Sequence, residues 1–181
     1  MITKLFEFKP GVLYFQYEQI CIATTPLVMT QTLTRVARRL HRPAEGSSRY
    51  IILERPESDR ILSGYNKKVL ASAFDIKKRT LLKATGLRYG MTFPDFIHTL
   101  CKRRAESNFI DRHFVPQEIL HRAVSRAEPW EKLDITTNGK SFAAGFPSVK
   151  SSAQLHYTEG MKQNLSDDDI ILIKKYQSIW R

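Results

Sequence analysis

Residues 67–81 read KKVLASAFDIKKRTL, and the small, turn-tolerant and apolar positions in that stretch decide how the rest of the chain is read. Two helices that meet at a tight corner need a small side chain where they approach. They also need a residue that tolerates positive φ at the corner, and apolar residues on both sides to fix the angle. Ala71 supplies the first. Asp75, four residues later, supplies the second, because aspartate enters the left-handed region more readily than most non-glycine residues. Ile76 follows as a buried plug, Leu81 can face back into the pair, and Val69, Leu70 and Phe74 complete an apolar stripe. The spacing predicts a first helix over 67–74 and a second over 77–85. The exposed early positions of that second helix are Lys77, Lys78, Arg79, Thr80 and Lys83, whose hydrogen-bond donors suit phosphate oxygens and guanine edges.

The charge around this stretch points the same way. The 181 residues carry 29 Lys plus Arg against 18 Asp plus Glu, a formal net charge of +11. Residues 60–104 hold eleven of those cations and two acids, Asp75 and Asp95, which is +9 of the total. An excess this concentrated makes a local positive field that attracts polyanions and speeds encounter with them. The plainer alternative is a solvated basic face.

Residues 70–105, LASAFDIKKRTLLKATGLRYGMTFPDFIHTLCKRRA, resemble the first helix-turn-helix half of an AraC/XylS-type transcriptional regulator. The elements that carry the likeness are Leu70-Ala71, Ile76, Arg79-Thr80-Leu81, the basic Lys83, Gly90-Met91-Thr92-Phe93, Phe96-Ile97, Leu100, Arg103-Arg104 and Ala105, without a gap. The resemblance implies that residues 77–83 enter the DNA major groove, and that a long linker helix after Phe93 leads to a second helix-turn-helix. Residues 143–148, AAGFPS, resemble the entry to that second half, but lie further downstream than the family spacing. Thr85-Gly86 and Cys101 depart from the family pattern, the former in a way that shortens the recognition helix. Arg88, Lys102, Arg103 and Arg104 are expected to neutralise phosphates.

The first quarter reads as strands. Residues 4–8 alternate, Pro10-Gly11 is a turn signal, and residues 12–17 and 20–23 are aromatic or β-prone on either side of Glu18-Gln19. Pro26 can open a helix whose apolar positions run to Leu40, with Arg35, Arg38, Arg39 and Arg42 along it. Residues 43–48, PAEGSS, form a loop, residues 50–53 a short strand, and residues 56–59 another break. Pro129 and residues 136–152 read as loop. The end reads as a helix over 170–180, with Ser166 as its cap and Asp167-Asp168-Asp169 favouring its N-terminus.

Other chemistries find less support. Two cysteines, Cys21 and Cys101, make neither a disulfide framework nor a thiolate zinc site. No histidine spacing matches a metal motif, and there is no phosphate-binding glycine loop, so neither a metal nor a cofactor is expected. Residues 84–88, ATGLR, resemble the first catalytic box of tyrosine recombinases, but the His-x-x-Arg pair that chemistry needs does not follow. The aromatic Tyr14, Phe15 and Tyr17 could stack RNA bases on an exposed sheet, or simply fill a core.

The sequence therefore predicts an α+β protein: a small N-terminal antiparallel sheet with a helix, followed by a helical helix-turn-helix region that binds DNA. The expected divisions are 1–58 (dimerisation or sensing), 59–128 (DNA-binding) and 129–181 (loop-rich, ending in a helix). The expected function is sequence-directed binding of double-stranded DNA as a transcriptional regulator, with no catalytic residues. The alternative is a non-catalytic component of a nucleoprotein assembly that grips RNA or DNA by its backbone. A homodimer or a second DNA-binding subunit is the expected partner besides DNA, because a lone helix-turn-helix needs a second half-site reader. No apolar run is long enough to span a bilayer and the N-terminus does not read as a signal peptide, so a cytoplasmic protein without membrane contact is expected.

Overall fold

A computed structural model describes residues 12–26, 28, 30–70, 82–83, 85–106, 108, 110–122, 124, 129–135 and 165–180. The chain divides into two units, Met1–Arg55 with Gln117–Thr158, and Pro56–Pro116 with Glu159–Arg181. Both belong to an α+β protein with a five-stranded mixed sheet and, among the described residues, five helices.

In the first unit, β1 (Leu13–Tyr17) and β2 (Ile20–Thr24) form the hairpin that the aromatic and β-branched runs imply. They pair from Leu13↔Thr24 to Tyr17↔Ile20, so Glu18-Gln19 is a two-residue loop, and Glu18 takes φ +51°. Such loops need a left-handed residue to match the strand twist. The chain then forms α1 (Thr30–Val36), β3 (Arg38–Leu40) and β4 (Arg49–Glu54). After leaving for the second unit it returns with α4 (Gln117–His121) and β5 (Trp130–Asp134). The strand order is β3-β1-β2-β4-β5.

The expected antiparallel sheet is corrected in three ways. It is mixed, because β2 with β4 and β4 with β5 run parallel. The helix expected to reach Leu40 stops at Val36, and Arg38–Leu40 pair with β1 as an edge strand. Residues 130–134, expected within a loop-rich segment, form the opposite edge. The Tyr50-Ile51-Ile52-Leu53 run does not alternate because both faces of β4 are covered. On one face Phe15, Ile22, Ile51 and Leu53 pack with Val28 and Leu33. On the other, Tyr14, Cys21, Ala23, Tyr50 and Ile52 are buried, with Trp130 edge-on to Tyr50 at 5.2 Å. Of the three aromatic residues considered for base stacking, Tyr14 and Phe15 are thus core residues and Tyr17 packs half-buried against the same core.

In the second unit, α2 (Glu57–Gly64) begins where the sequence suggested a break, because Pro56 fits a helix N-terminus; it continues into a π-type turn over Tyr65–Val69. α3 (Phe93–Ala105) starts at Thr92, whose hydroxyl accepts from the Asp95 amide. It buries Phe93, Phe96, Ile97 and Leu100 on one face. Tyr65, Phe96 and Phe114 form an aromatic core with centroids 4.9–5.3 Å apart. α5 (Asp167–Ser178) closes the unit as the sequence predicts: Ser166 caps it, and Asp169 accepts a bond from the Ser166 amide in return. Ile173 and Tyr176 point inward from it.

Candidate nucleic-acid interface

The proposed corner between two helices spans residues 71–81, including Ala71, Asp75, Ile76 and Leu81; these lie outside the described residues. So do Lys77, Lys78, Arg79 and Thr80, and the second-half candidate at 143–148. The described residues on either side of the corner position the remaining predicted cations.

Leu82 and Lys83 are helical, and the chain turns directly after them. Thr85 and Leu87 both donate their amides to the Leu82 carbonyl, and Gly86 takes φ +72°. This is a helix stop of the kind glycine makes easily, and it ends the helical residues 82–83 at Thr85-Gly86. A β-carbon on Gly86 would lie 2.7 Å from Nη1 of Arg103. The Arg103 side chain therefore lies directly on the turn that separates Lys83 from Arg88. Lys83 and Arg88, which flank that turn in the chain, are exposed, and Arg103 is half-buried.

Lys102 and Arg104 sit on the same last turn of α3, where cations also complement the helix dipole. Both are exposed. Lys102 Nζ stands 3.8 Å from Glu106, an ion pair between well-exposed groups that contributes little. The Arg104 guanidinium carbon lies 4.5 Å from the ring centroid of Trp180 just beyond α5. Such stacking holds a guanidinium flat while leaving its edge donors available. Nothing local in the sequence marks Trp180 for this role, because it lies far along the chain from Arg104.

Not every cation in the basic stretch reaches the surface. Arg60 is fully buried. It donates to Glu57 at 2.5 Å, to the His113 carbonyl at 3.0 Å and to the Val115 carbonyl. With Tyr176 donating to the Phe114 carbonyl at 2.9 Å, three successive carbonyls are held from inside. Lys68 faces Asp111 at 3.9 Å, and His113 Nδ1 approaches the same carboxylate at 2.5 Å. Burial alone would raise the Asp111 carboxyl, but hydrogen bonds and charge from His113, with Lys68 behind them, bring it down to about 2. Burial pushes the Cys101 thiol and the Tyr65 and Tyr176 phenols upward, which disfavours them as nucleophiles.

Among the described residues no group of three or more His, Cys, Asp or Glu is placed to hold a metal ion. No described helix is long and apolar enough to cross a membrane. The chain matches no protein-family model, no curated protein and no solved structure.

Proposed function

We propose that this protein binds double-stranded DNA through its helical unit, as a sequence-directed transcriptional regulator. The observation that carries the reading is the seating of Arg103 against Gly86, on the turn that lies between the exposed Lys83 and Arg88 in the chain and next in sequence to the exposed Lys102 and Arg104. Cations grouped in this way displace condensed counterions from phosphates, and that release supplies much of the affinity for a duplex. In this reading they fix the register on the backbone, and Lys77, Lys78, Arg79 and Thr80 reach base edges from the preceding helix. The AraC/XylS-type likeness supplies the regulatory role and the need for a second half-site reader, from a homodimer or another subunit.

A second reading has its own support. Every predicted site residue among the described ones is of the phosphate-gripping type, which also suits a non-catalytic component of a nucleoprotein assembly. One comparison separates them: binding of the full chain to duplex DNA, single-stranded DNA and structured RNA at fixed salt. The regulator reading expects a duplex preference. It also expects Arg79→Ala to cost about 1–3 kcal/mol with relaxed specificity at one base. Lys102→Ala should weaken all duplexes alike and lower the salt slope by about 1. Equal binding to all three nucleic acids, with no sequence effect from Arg79→Ala, would favour the second reading.

A further inference from the structure

We propose that the arginine-bearing edge of the sheet is a second, separate surface for the phosphate backbone of a nucleic acid. This surface would act beside the one inferred for the helical unit, and it rests on that reading for the identity of the polyanion.

The surface is built by β3 and its flanks. Arg35 ends α1, Arg38 and Arg39 lie in β3, and Arg42 follows it; all four are exposed. Among the described strands β3 is outermost, beside β1, with Tyr14↔Leu40, Phe15↔Arg39 and Gln16↔Arg38 in register. Successive strand residues face opposite ways, so Arg38 and Arg39 emerge on the two sides of the sheet edge. Arg38 is held by a 2.5 Å bond to the Gln16 side-chain oxygen. Among the described residues no carboxylate forms an ion pair with any of the four.

The opposite edge of the same sheet decides against simple edge protection. Lone charges on an outer strand commonly block strand addition. At β5 the charges are of mixed sign and paired: Arg49 with Glu131 at 2.7 Å, Lys132 with Glu54 at 2.8 Å. At β3 they are of one sign and, among the described residues, pair with no carboxylate, and two of them, Arg35 and Arg42, lie outside the strand where they protect nothing. The residue type also matters, because the planar guanidinium fork binds phosphate oxygens in pairs. A membrane partner would want apolar side chains beside the cations. The exposed large hydrophobic residues described are Tyr89, Ile171 and Ile179, all in the other unit.

The test uses the full chain, a labelled duplex oligonucleotide of mixed sequence, and fluorescence anisotropy across a salt series. One variant carries Arg35→Gln, Arg39→Gln and Arg42→Gln, leaving Arg38 on Gln16. A second carries Lys83→Gln, Arg88→Gln and Lys102→Gln. Each phosphate left without its cation lowers the slope of log affinity against log salt by about 0.9, so the arginine variant should lower it by up to about 2.7. Lysines at the same three positions should keep the slope while weakening binding; a slope as low as that of the glutamine variant overturns the role given to charge. If the helical-unit variant lowers the slope and the arginine variant leaves it unchanged, the proposal is wrong and the first interface stands. If only the arginine variant acts, the sheet edge is confirmed and the helical-unit reading falls. Reduced binding to phosphatidylserine vesicles in the arginine variant, with duplex affinity unchanged, would assign the surface to a membrane and overturn the proposal.

Discussion

Replacing Arg60 with methionine should destabilise the helical unit by about 3–5 kcal/mol, the cost of breaking a buried ion pair from one side. Arg60 Nε and Nη2 both donate to Glu57 Oε1, at 3.0 and 2.5 Å, Nη1 donates to the His113 carbonyl at 3.0 Å, and Nη2 to the Val115 carbonyl. Methionine fills much of the volume but supplies no donor. Glu57, whose side chain is 12% exposed, loses its Arg60 ion pair, and the His113 and Val115 carbonyls lose their Arg60 donors. A domain holds only about 5–15 kcal/mol in total, so this single change removes a large part of the margin. Urea unfolding should be followed by tryptophan fluorescence in a Trp130→Phe background, which leaves Trp180 of the helical unit as reporter. With an m-value of about 2 kcal/mol/M, the midpoint should fall by about 2 M. Adding Glu57→Gln should restore part of the stability, because a nearly buried carboxylate that has lost its Arg60 partner becomes neutral, while the carbonyls still lack the Arg60 donor. A cost below about 1 kcal/mol for Arg60→Met, or a double variant as unstable as the sum of its parts, would refute the claim that this buried pair organises the unit.

Three further outcomes are expected from the same geometry. Gly86→Ala should cost about 1–2 kcal/mol through left-handed strain and push Arg103 off the turn; thermal unfolding reads the first effect, and weaker duplex binding the second. Asp111 has its native carboxyl held near 2 against an ordinary 3.8, so it contributes stability above pH 3.8 that disappears as the pH falls towards 2. That difference corresponds to about 2 kcal/mol, so Asp111→Asn should lower stability at neutral pH by that order and flatten the acid limb of an unfolding titration. Ser166→Ala removes the cap of α5 and should cost about 1 kcal/mol by chemical denaturation, without altering duplex affinity.

The parts of this fold that are legible in the sequence are those where local chemistry agrees with tertiary demand. Ser166 with Asp169 marks the start of α5, and the Glu18-Gln19 interruption marks the hairpin. The parts that sequence reasoning misplaces depend on partners distant along the chain. Arg38 and Arg39 continue a helical apolar rhythm, yet the β1 edge captures them as a strand. Trp130–Asp134, WEKLD, puts two charges side by side and follows a proline, and only its parallel pairing with β4 makes it a strand. By local chemistry Arg60 is one more surface cation; its burial follows from carbonyls more than fifty residues away at His113 and Val115. Within the candidate interface, the residue types are legible but their meeting is not, because the approach of Arg103 to Gly86 joins two elements with no local signature.

The placement of the duplex against the helical unit can be read residue by residue from lysine acetylation, with and without saturating duplex DNA, by mass spectrometry of the full chain. Lys83 and Lys102 are both exposed, and Lys132, 66% exposed in the other unit and paired with Glu54, serves as the internal control. Bound DNA should suppress acetylation of Lys83 and Lys102 and leave Lys132 unchanged. Unchanged acetylation of Lys83 and Lys102 in the DNA-bound protein would contradict a duplex seated on the helical unit.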